Sequence, residues 1–262
     1  MIRFLISTIL TMSLIQLSAQ ELKFNGGHSH NDYHQAKPLF DALNHGMISI
    51  EADIFLRNEE LLVGHSTSEL TNSKTLESLY LRPLENLITE KQDQFQPIIL
   101  LIDIKDRGER TYDKLKEYLQ KYKNILTEYS DGKIIKRQVT IIISGDRPIN
   151  VLRDEHFRYA FIDGRLNKND INEDASLIPL ISDNWNNYFS WKGNGEIDQN
   201  ELKKLKNLVE ECHKNNKIIR FWGIPSKPEI RQEFWEVLLN AGVDLIGCDF
   251  PSCLENYIIN KR

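Results

Sequence analysis

Cysteine is scarce in this chain. Only Cys212, Cys248 and Cys253 occur in 262 residues, an odd number with no CxxC pair, which leaves room for one disulfide and excludes a disulfide-built scaffold. Positive charge is also short: 33 Lys and Arg face 38 Asp and Glu, a net charge of −5 that argues against a nucleic-acid partner. No apolar run is long and pure enough for a membrane span, so no stable membrane insertion is expected. The nearest approach, Phe4 to Leu17, is diluted by Ser7, Thr8, Thr11, Ser13 and Gln16. With Arg3 before it and Ser18-Ala19 after it, the run reads as a signal peptide covering residues 1–19, and no cysteine follows to accept a lipid. The expected product is a free exported protein, periplasmic or secreted. Its loss of Arg3 moves the charge to −6, from 32 basic and 38 acidic residues. No repeat, low-complexity tract or linker divides residues 20–262, and a composition 40% hydrophobic and 27% charged suits one domain with a substantial core.

What is present is a regular alternation. Strand-like runs fall at Leu22 to Gly27, Met47 to Asp53, Pro97 to Lys105, Val139 to Ser144, Tyr159 to Asp163, Leu177 to Ser182, Ile218 to Trp222 and Asp244 to Asp249. Helical spacing or helix boundaries mark Leu39 to His45, Leu76 to Glu90, Thr111 to Leu126, Asp198 to Asn215 and Pro228 to Ala241. Eight near-continuous apolar strands with helices between most of them predict an α/β fold, a single-domain (β/α)8 TIM barrel. A doubly wound open sheet is the alternative, because periodicity does not report closure.

The stretch Met47 to Ser66 carries the chemistry. An apolar run ends in Glu51 and Asp53, which share one face of a strand because alternate side chains point the same way. Two adjacent carboxylates at the end of a buried strand repel one another and lose hydration, and a divalent cation compensates best. Twelve residues on, after a second apolar strand at Leu61 to Val63, His65 can return an imidazole to the same edge. Asp103, deep in the run PIILLIDIK, is the best third ligand. Lys105 shares its face, either as the ion-pair partner of Asp103 or as a fixed positive charge for a phosphate oxygen.

Nearly every expected strand ends in a reactive group: His28; Glu51 and Asp53; Asp103 and Lys105; Ser144 and Asp146; Asp163; Asp183; Arg220 and Trp222; Asp249. In a barrel these ends meet at one mouth. Taken singly, Asp146, Asp163, Asp183 and Asp249 fit helix N-caps. The cluster Trp185, Tyr188, Phe189 and Trp191 is either a satellite core or a lid over the substrate.

The combination of His28 after Gly26-Gly27, Glu51-x-Asp53, His65, Asp103-x-Lys105, Trp222 at the end of a late strand, and Gly242-Val243-Asp244 leading to Asp249-Phe250-Pro251 resembles the PLC-like phosphodiesterase superfamily. That group includes glycerophosphodiester phosphodiesterases and sphingomyelinase D-type phospholipases. The segment HSHNDY, followed by Pro38-Leu39 and by Val63 to His65, is most similar to its exported branch. The resemblance covers the mature chain and implies a TIM barrel and one Ca²⁺ or Mg²⁺ on Glu51, Asp53 and Asp103. It also implies acid/base work by His28 and His65. Lys105, His30, Asn31, Arg220, Trp222 and Asp249 are then candidates to contact a small phosphodiester or lipid head group. Glycerophosphodiester phosphodiesterases carry a further Glu ligand shortly after the first histidine, where this chain reads His34-Gln35-Ala36-Lys37-Pro38.

Two other readings are consistent with the same residues. His28-x-His30 is also a first-strand signature of zinc hydrolases on this barrel, which need further histidines from later strand ends. His156, His213 and His45 serve that poorly, since they precede a strand, lie within a helix and end one. The third reading is a barrel that binds a phosphorylated or sugar ligand without turnover. Oligomeric state leaves no mark in the sequence.

Overall fold

A computed structural model of the chain describes residues 26–260. The expected signal peptide and residues 22–25 of the first expected strand lie outside the described residues. Eight strands are parallel: β1 (Gly26–Ser29), β2 (Met47–Arg57), β3 (Ile98–Ile104), β4 (Val139–Gly145), β5 (Ala160–Gly164), β6 (Leu180–Asn184), β7 (Ile218–Trp222) and β8 (Leu245–Cys248). Each pairs with the next in chain order, and β1 pairs with both β2 and β8, so the sheet closes. A helix follows every strand: α1 (Phe40–Asn44), α2 (Arg82–Lys91), α3 (Gly108–Lys121), α4 (Ile149–Asp154), α5 (Lys168–Asn172), α6 (Gln199–Lys214), α7 (Pro228–Asn240) and α8 (Pro251–Ile259). The fold is a (β/α)8 TIM barrel, and the open sheet is excluded by the β1–β2 and β1–β8 pairings.

Two apolar cores hold it. Leu101, Ile142, Phe161, Leu180 and Leu245 form a cluster of their own. It fills the barrel interior, one residue from each of five strands. The larger core lies between barrel and helices and takes the alternate positions, among them Ile50, Ala52, Ile54, Ile102 and Ile143, all wholly buried. Burial on both faces explains why these strands read as continuous apolar runs. Two residues beyond the interior layer, the same faces carry Asp103, Ser144, Asp163, Ser182 and Gly247. The interior therefore turns from apolar to polar toward the C-terminal ends of the strands, as a barrel with a site at that mouth requires.

β2 runs four residues past the expected strand. Its end pairs antiparallel with Glu60–Val63, Ile54 opposite Val63 and Arg57 opposite Glu60. Asn58 and Glu59 make the turn with φ of 49° and 64°, the left-handed pair that a two-residue hairpin needs. The hairpin carries the chain straight back to Asp53, whose carbonyl accepts the Gly64 N–H at 3.2 Å.

The helices α4, α5 and α8 were not expected, nor was a small antiparallel sheet of Glu128–Ser130, Lys133–Ile135 and Phe157–Arg158. That sheet precedes β4 and β5 and so belongs to the face opposite the mouth. No helix among the described residues is long and apolar enough to cross a membrane. All three cysteines are free thiols.

Candidate active site

Register builds the site. Asp53 on β2 is the cross-strand partner of Asp103 on β3, and Asp103 that of Ser144 on β4. Glu51, Asp53 and Asp103 each offer a carboxylate oxygen, and these three atoms lie within 4.8 Å of one another.

Asp53 is the hub. Its Oδ2 receives Lys105 Nζ at 2.7 Å, the Tyr33 hydroxyl at 2.7 Å and His65 Nδ1 at 3.1 Å. Its Oδ1 is buried and has no hydrogen-bond partner among the described residues. A buried acceptor left unpaired costs about 1–3 kcal/mol, more when charged, so this atom is arranged for something other than a protein donor.

Glu51 is held from the other side, where Arg220 Nη2 lies 3.2 Å and His28 Nε2 2.8 Å from Oε2. Burial acts to raise the Glu51 carboxyl, but the Arg220 charge and then the His28 hydrogen bond outweigh it and hold it well below the usual carboxylate range. Asp103 moves the opposite way: burial pushes it up to about 6 against the pull of Lys105, with the Asp53 and Glu51 charges adding to the rise. Three carboxylates thus face two cations, Lys105 and Arg220. A positive ion between them would relieve the excess of negative charge. An all-oxygen donor set, converging and with one buried oxygen unpartnered, fits a hard divalent cation such as Ca²⁺ or Mg²⁺.

The imidazoles differ in access. His65 is 57% exposed, with Nδ1 against Asp53. His28 is wholly buried, Nδ1 on Ser49 Oγ at 2.8 Å and Nε2 on Glu51, and burial with the Arg220 charge lowers it to about 4 despite Glu51. His30 reaches the surface and binds Asp249 Oδ1 through Nδ1 at 2.7 Å. Burial acts against its protonation, but the Asp249 hydrogen bond and the Glu51 charge prevail and raise it.

The family model for the AIM6-like phosphodiesterase domain matches residues 19–97 and 90–163, more than half of the chain. The chain belongs to that family. The altered inheritance of mitochondria protein 6 homolog of Arthroderma benhamiae is 31% identical over an alignment of 261 positions, gaps included, that covers 88% of this chain and 82% of that one. Altered inheritance of mitochondria protein 6 of Eremothecium gossypii is 29% identical over an alignment of 270 positions that covers 85% of this chain and 66% of the relative. Among solved structures, one from Silicibacter pomeroyi assigned as a glycerophosphoryl diester phosphodiesterase superposes with a TM-score of 0.53 over 92% of this chain and 97% of that one. At 13% identity that match speaks for the barrel alone.

In this AIM6-like domain several residues stand elsewhere than the sequence predicts. Lys105 pairs more closely with Asp53 than with Asp103, at 2.7 Å against 3.4 Å, because Asp53 Oδ2 is the deeper acceptor. Arg220, expected to face substrate, is buried on Glu51. Asn31 adopts a left-handed backbone, φ 48°, and its side-chain oxygen lies 2.8 Å from the Tyr33 hydroxyl. Trp222 stands 38% exposed at the mouth.

Of the aspartates that fit N-caps, only Asp146 caps a helix, and it is α3, through the Gly108 N–H at 2.8 Å. Asp163 Oδ2 accepts from Ser144, Ser182 and Arg165, Asp183 from the Leu166 N–H and Tyr188, and Asp249 from His30. The aromatic cluster is core: Trp185, Phe189 and Trp191 are buried, and Trp185 packs on Phe221 and Phe234. The segment His34 to Pro38 adds no carboxylate to the site; His34 binds Glu69, and Gln35 binds the Asp249 carbonyl.

Tyr33 and Ser49 escaped the sequence reading. Ser49 had a signal, since it shares the parity of Glu51 and Asp53 in an otherwise apolar strand. Tyr33 had none beyond its place in HSHNDY. Its hydroxyl lies within reach of both Asn31 and Asp53. Tyr33→Phe removes one donor to Asp53 Oδ2, and loss of about 1–2 kcal/mol should lower kcat/KM roughly tenfold. The melting temperature should move by only a few degrees, which steady-state kinetics paired with thermal melts will check.

Proposed function

We propose that this AIM6-like domain is a metal-dependent phosphodiesterase acting on a small exported phosphodiester, a glycerophosphodiester or a phospholipid-like head group. The observation that supports this reading is the convergence of Glu51, Asp53 and Asp103 with an exposed imidazole, His65, hydrogen-bonded to one of them. When bound to Glu51, Asp53 and Asp103, a divalent cation would neutralise the phosphodiester's charge.

The chain's own groups do the rest. His65 donates its Nδ1 proton to Asp53, which leaves Nε2 as an acceptor facing the mouth. That nitrogen takes the proton of the attacking hydroxyl as its oxygen bonds to phosphorus. The ester bond to the leaving oxygen breaks, and the alkoxide takes its proton from His28 in the imidazolium form, whose charge Glu51 balances and which is left neutral. Lys105 holds the Asp53 and Asp103 carboxyl groups in place. The attacking oxygen belongs either to water or to a neighbouring hydroxyl of the substrate, and ³¹P NMR separates the two by a monoester or a cyclic product.

A second assignment has its own observation. His30 and its partner Asp249 are each 40% exposed, whereas His28 is sealed. His30 is thus the alternative proton donor.

The test is a screen of phosphodiesters with the EDTA-stripped protein, alone and with Ca²⁺, Mg²⁺ or Zn²⁺, on wild type, His65→Ala, His28→Asn and His30→Asn. Turnover should require Ca²⁺ or Mg²⁺ and fall about 10²–10⁴-fold in His65→Ala and His28→Asn. A comparable fall in His30→Asn alone moves the donor role to His30. Rescue by Zn²⁺ alone would favour the zinc hydrolase, although the one convergent ligand group among the described residues contains no histidine. Binding without turnover of any diester would favour an inactive barrel.

A further inference from the structure

A cavity of about 140 Å³ opens beside the carboxylate site, between the loops that follow β7 and β8. It shares His30 and Asp249 with the mouth, and its other lining includes Trp222, Trp235, Phe250 and Arg231. Two features are unusual. Trp222 and Phe250 are large apolar side chains left 38% and 55% exposed, both in the lining of one cleft. Arg231 lies over the Trp235 ring, its Cζ 5.5 Å from the ring centroid, and its Nε is buried without a hydrogen-bond acceptor.

Each feature points to a ligand group. Aromatic walls recognise a flat or apolar body, and a volume near 140 Å³ is that of a site for one six-membered ring. A buried guanidinium N–H without an acceptor is costly unless an anionic or carbonyl oxygen arrives to take it. Arg220 in the same lining is already paired with Glu51 and Asp249 with His30, so Arg231 sets the preference, for an anionic substituent over a quaternary ammonium that aromatic walls alone would welcome.

We propose that this cavity is the subsite for one ester arm of the substrate, and that the arm is an apolar, ring-sized group bearing an acidic substituent. The word substrate rests on the phosphodiesterase reading; the subsite itself rests on Trp222, Phe250, Trp235 and Arg231. The phosphate lies over the carboxylates, and the arm passes His30 and Asp249 into the cleft.

Isothermal titration calorimetry with three probes tests it: phenyl phosphate, 4-carboxyphenyl phosphate and 4-(trimethylammonio)phenyl phosphate, on wild type, Arg231→Gln and Trp222→Ala. In wild type the carboxylated probe should bind about tenfold or more tightly than phenyl phosphate, and the ammonium probe weakest of the three. In Arg231→Gln the ratio between the carboxylated and plain probes should collapse to about one. In Trp222→Ala, a change at a partly exposed position, both should weaken roughly tenfold with the ratio kept. Equal affinity for the three probes in wild type, or a ratio that Arg231→Gln leaves intact, overturns the subsite. Diester turnover is scored separately: probe preference without turnover contradicts the phosphodiesterase reading and keeps the subsite, whereas turnover without probe preference does the reverse.

Discussion

Replacing Asp53 by asparagine should abolish metal-dependent turnover, lowering kcat/KM by about 10³-fold or more, on the order of 4 kcal/mol of transition-state stabilisation. Asp53 does two jobs with its two oxygens. Oδ2 gathers Lys105, Tyr33 and His65, and Oδ1 stands buried and unpartnered. An amide of the same shape fails at both. If its nitrogen replaces Oδ1, a donor stands where a cation needs an acceptor; if it replaces Oδ2, it meets the Lys105 ammonium and the tyrosine hydroxyl. In either pose the negative charge that balances Lys105 is lost. His65 also loses the anion that fixes its tautomer, so turnover should fall further than metal affinity does. Titration of Ca²⁺ or Mg²⁺ into the stripped variant, beside its kinetics, separates the two losses. An Asp53→Asn protein with wild-type turnover would contradict the assignment of the hub.

Gly145→Ala should be strongly damaging although it changes no charge. Gly145 closes β4 with φ of 72°, a conformation that costs an L-residue about 1–3 kcal/mol. A Cβ there would lie 2.1 Å from Asp103 Oδ1 and 2.3 Å from the Ile104 carbonyl oxygen. One neighbour is the carboxylate tip of a candidate ligand, and the other, which cannot yield, is backbone of the adjacent strand. Both strain and clash act, so a loss of roughly 3–5 kcal/mol is expected, equivalent to a fall in Tm of about 10 °C. Activity should fall with it, because relief comes by pushing Asp103 off its ligand position. Adding Asp103→Gly removes the nearer clash and should restore part of the stability and none of the activity. Equal melting curves for Gly145→Ala and wild type would show that Asp103 is not packed against this turn.

The parts of the site legible in the sequence obey local rules. Glu51 and Asp53 are two apart on a strand, and parity alone puts them together. Asp103 stands out as a charge inside PIILLIDIK. His65 follows from a short apolar return strand, although the left-handed pair Asn58 and Glu59 that makes the return tight is not a turn sequence that composition announces. What the sequence hid is nonlocal. Arg220 meets Glu51 across the barrel interior, 169 residues away, and nothing near Arg220 indicates that its charge is already taken. Tyr33 reaches Asp53 because Asn31 turns the chain left-handed, a backbone event without periodicity. His28 looked like a rim residue because a strand end does not reveal which layer of the interior it occupies; it lies wholly buried between Ser49 and Glu51.

The fold was read by the same logic and missed by it in the same way. Long strands and the 14- and 16-residue helices α3 and α6 carry enough period to be seen, whereas α4, α5 and α8, at five to nine residues, do not. The strands of the small antiparallel sheet are two or three residues long and have no pattern to display.

The account depends on one cation held by Glu51, Asp53 and Asp103. A crystal of the EDTA-stripped protein soaked in Mn²⁺ and measured at the manganese absorption edge locates that ion directly. The account predicts one anomalous peak bonded to an oxygen of each of the three carboxylates, Asp53 Oδ1 among them. A map with no peak there, or with its peak on the histidines alone, contradicts it.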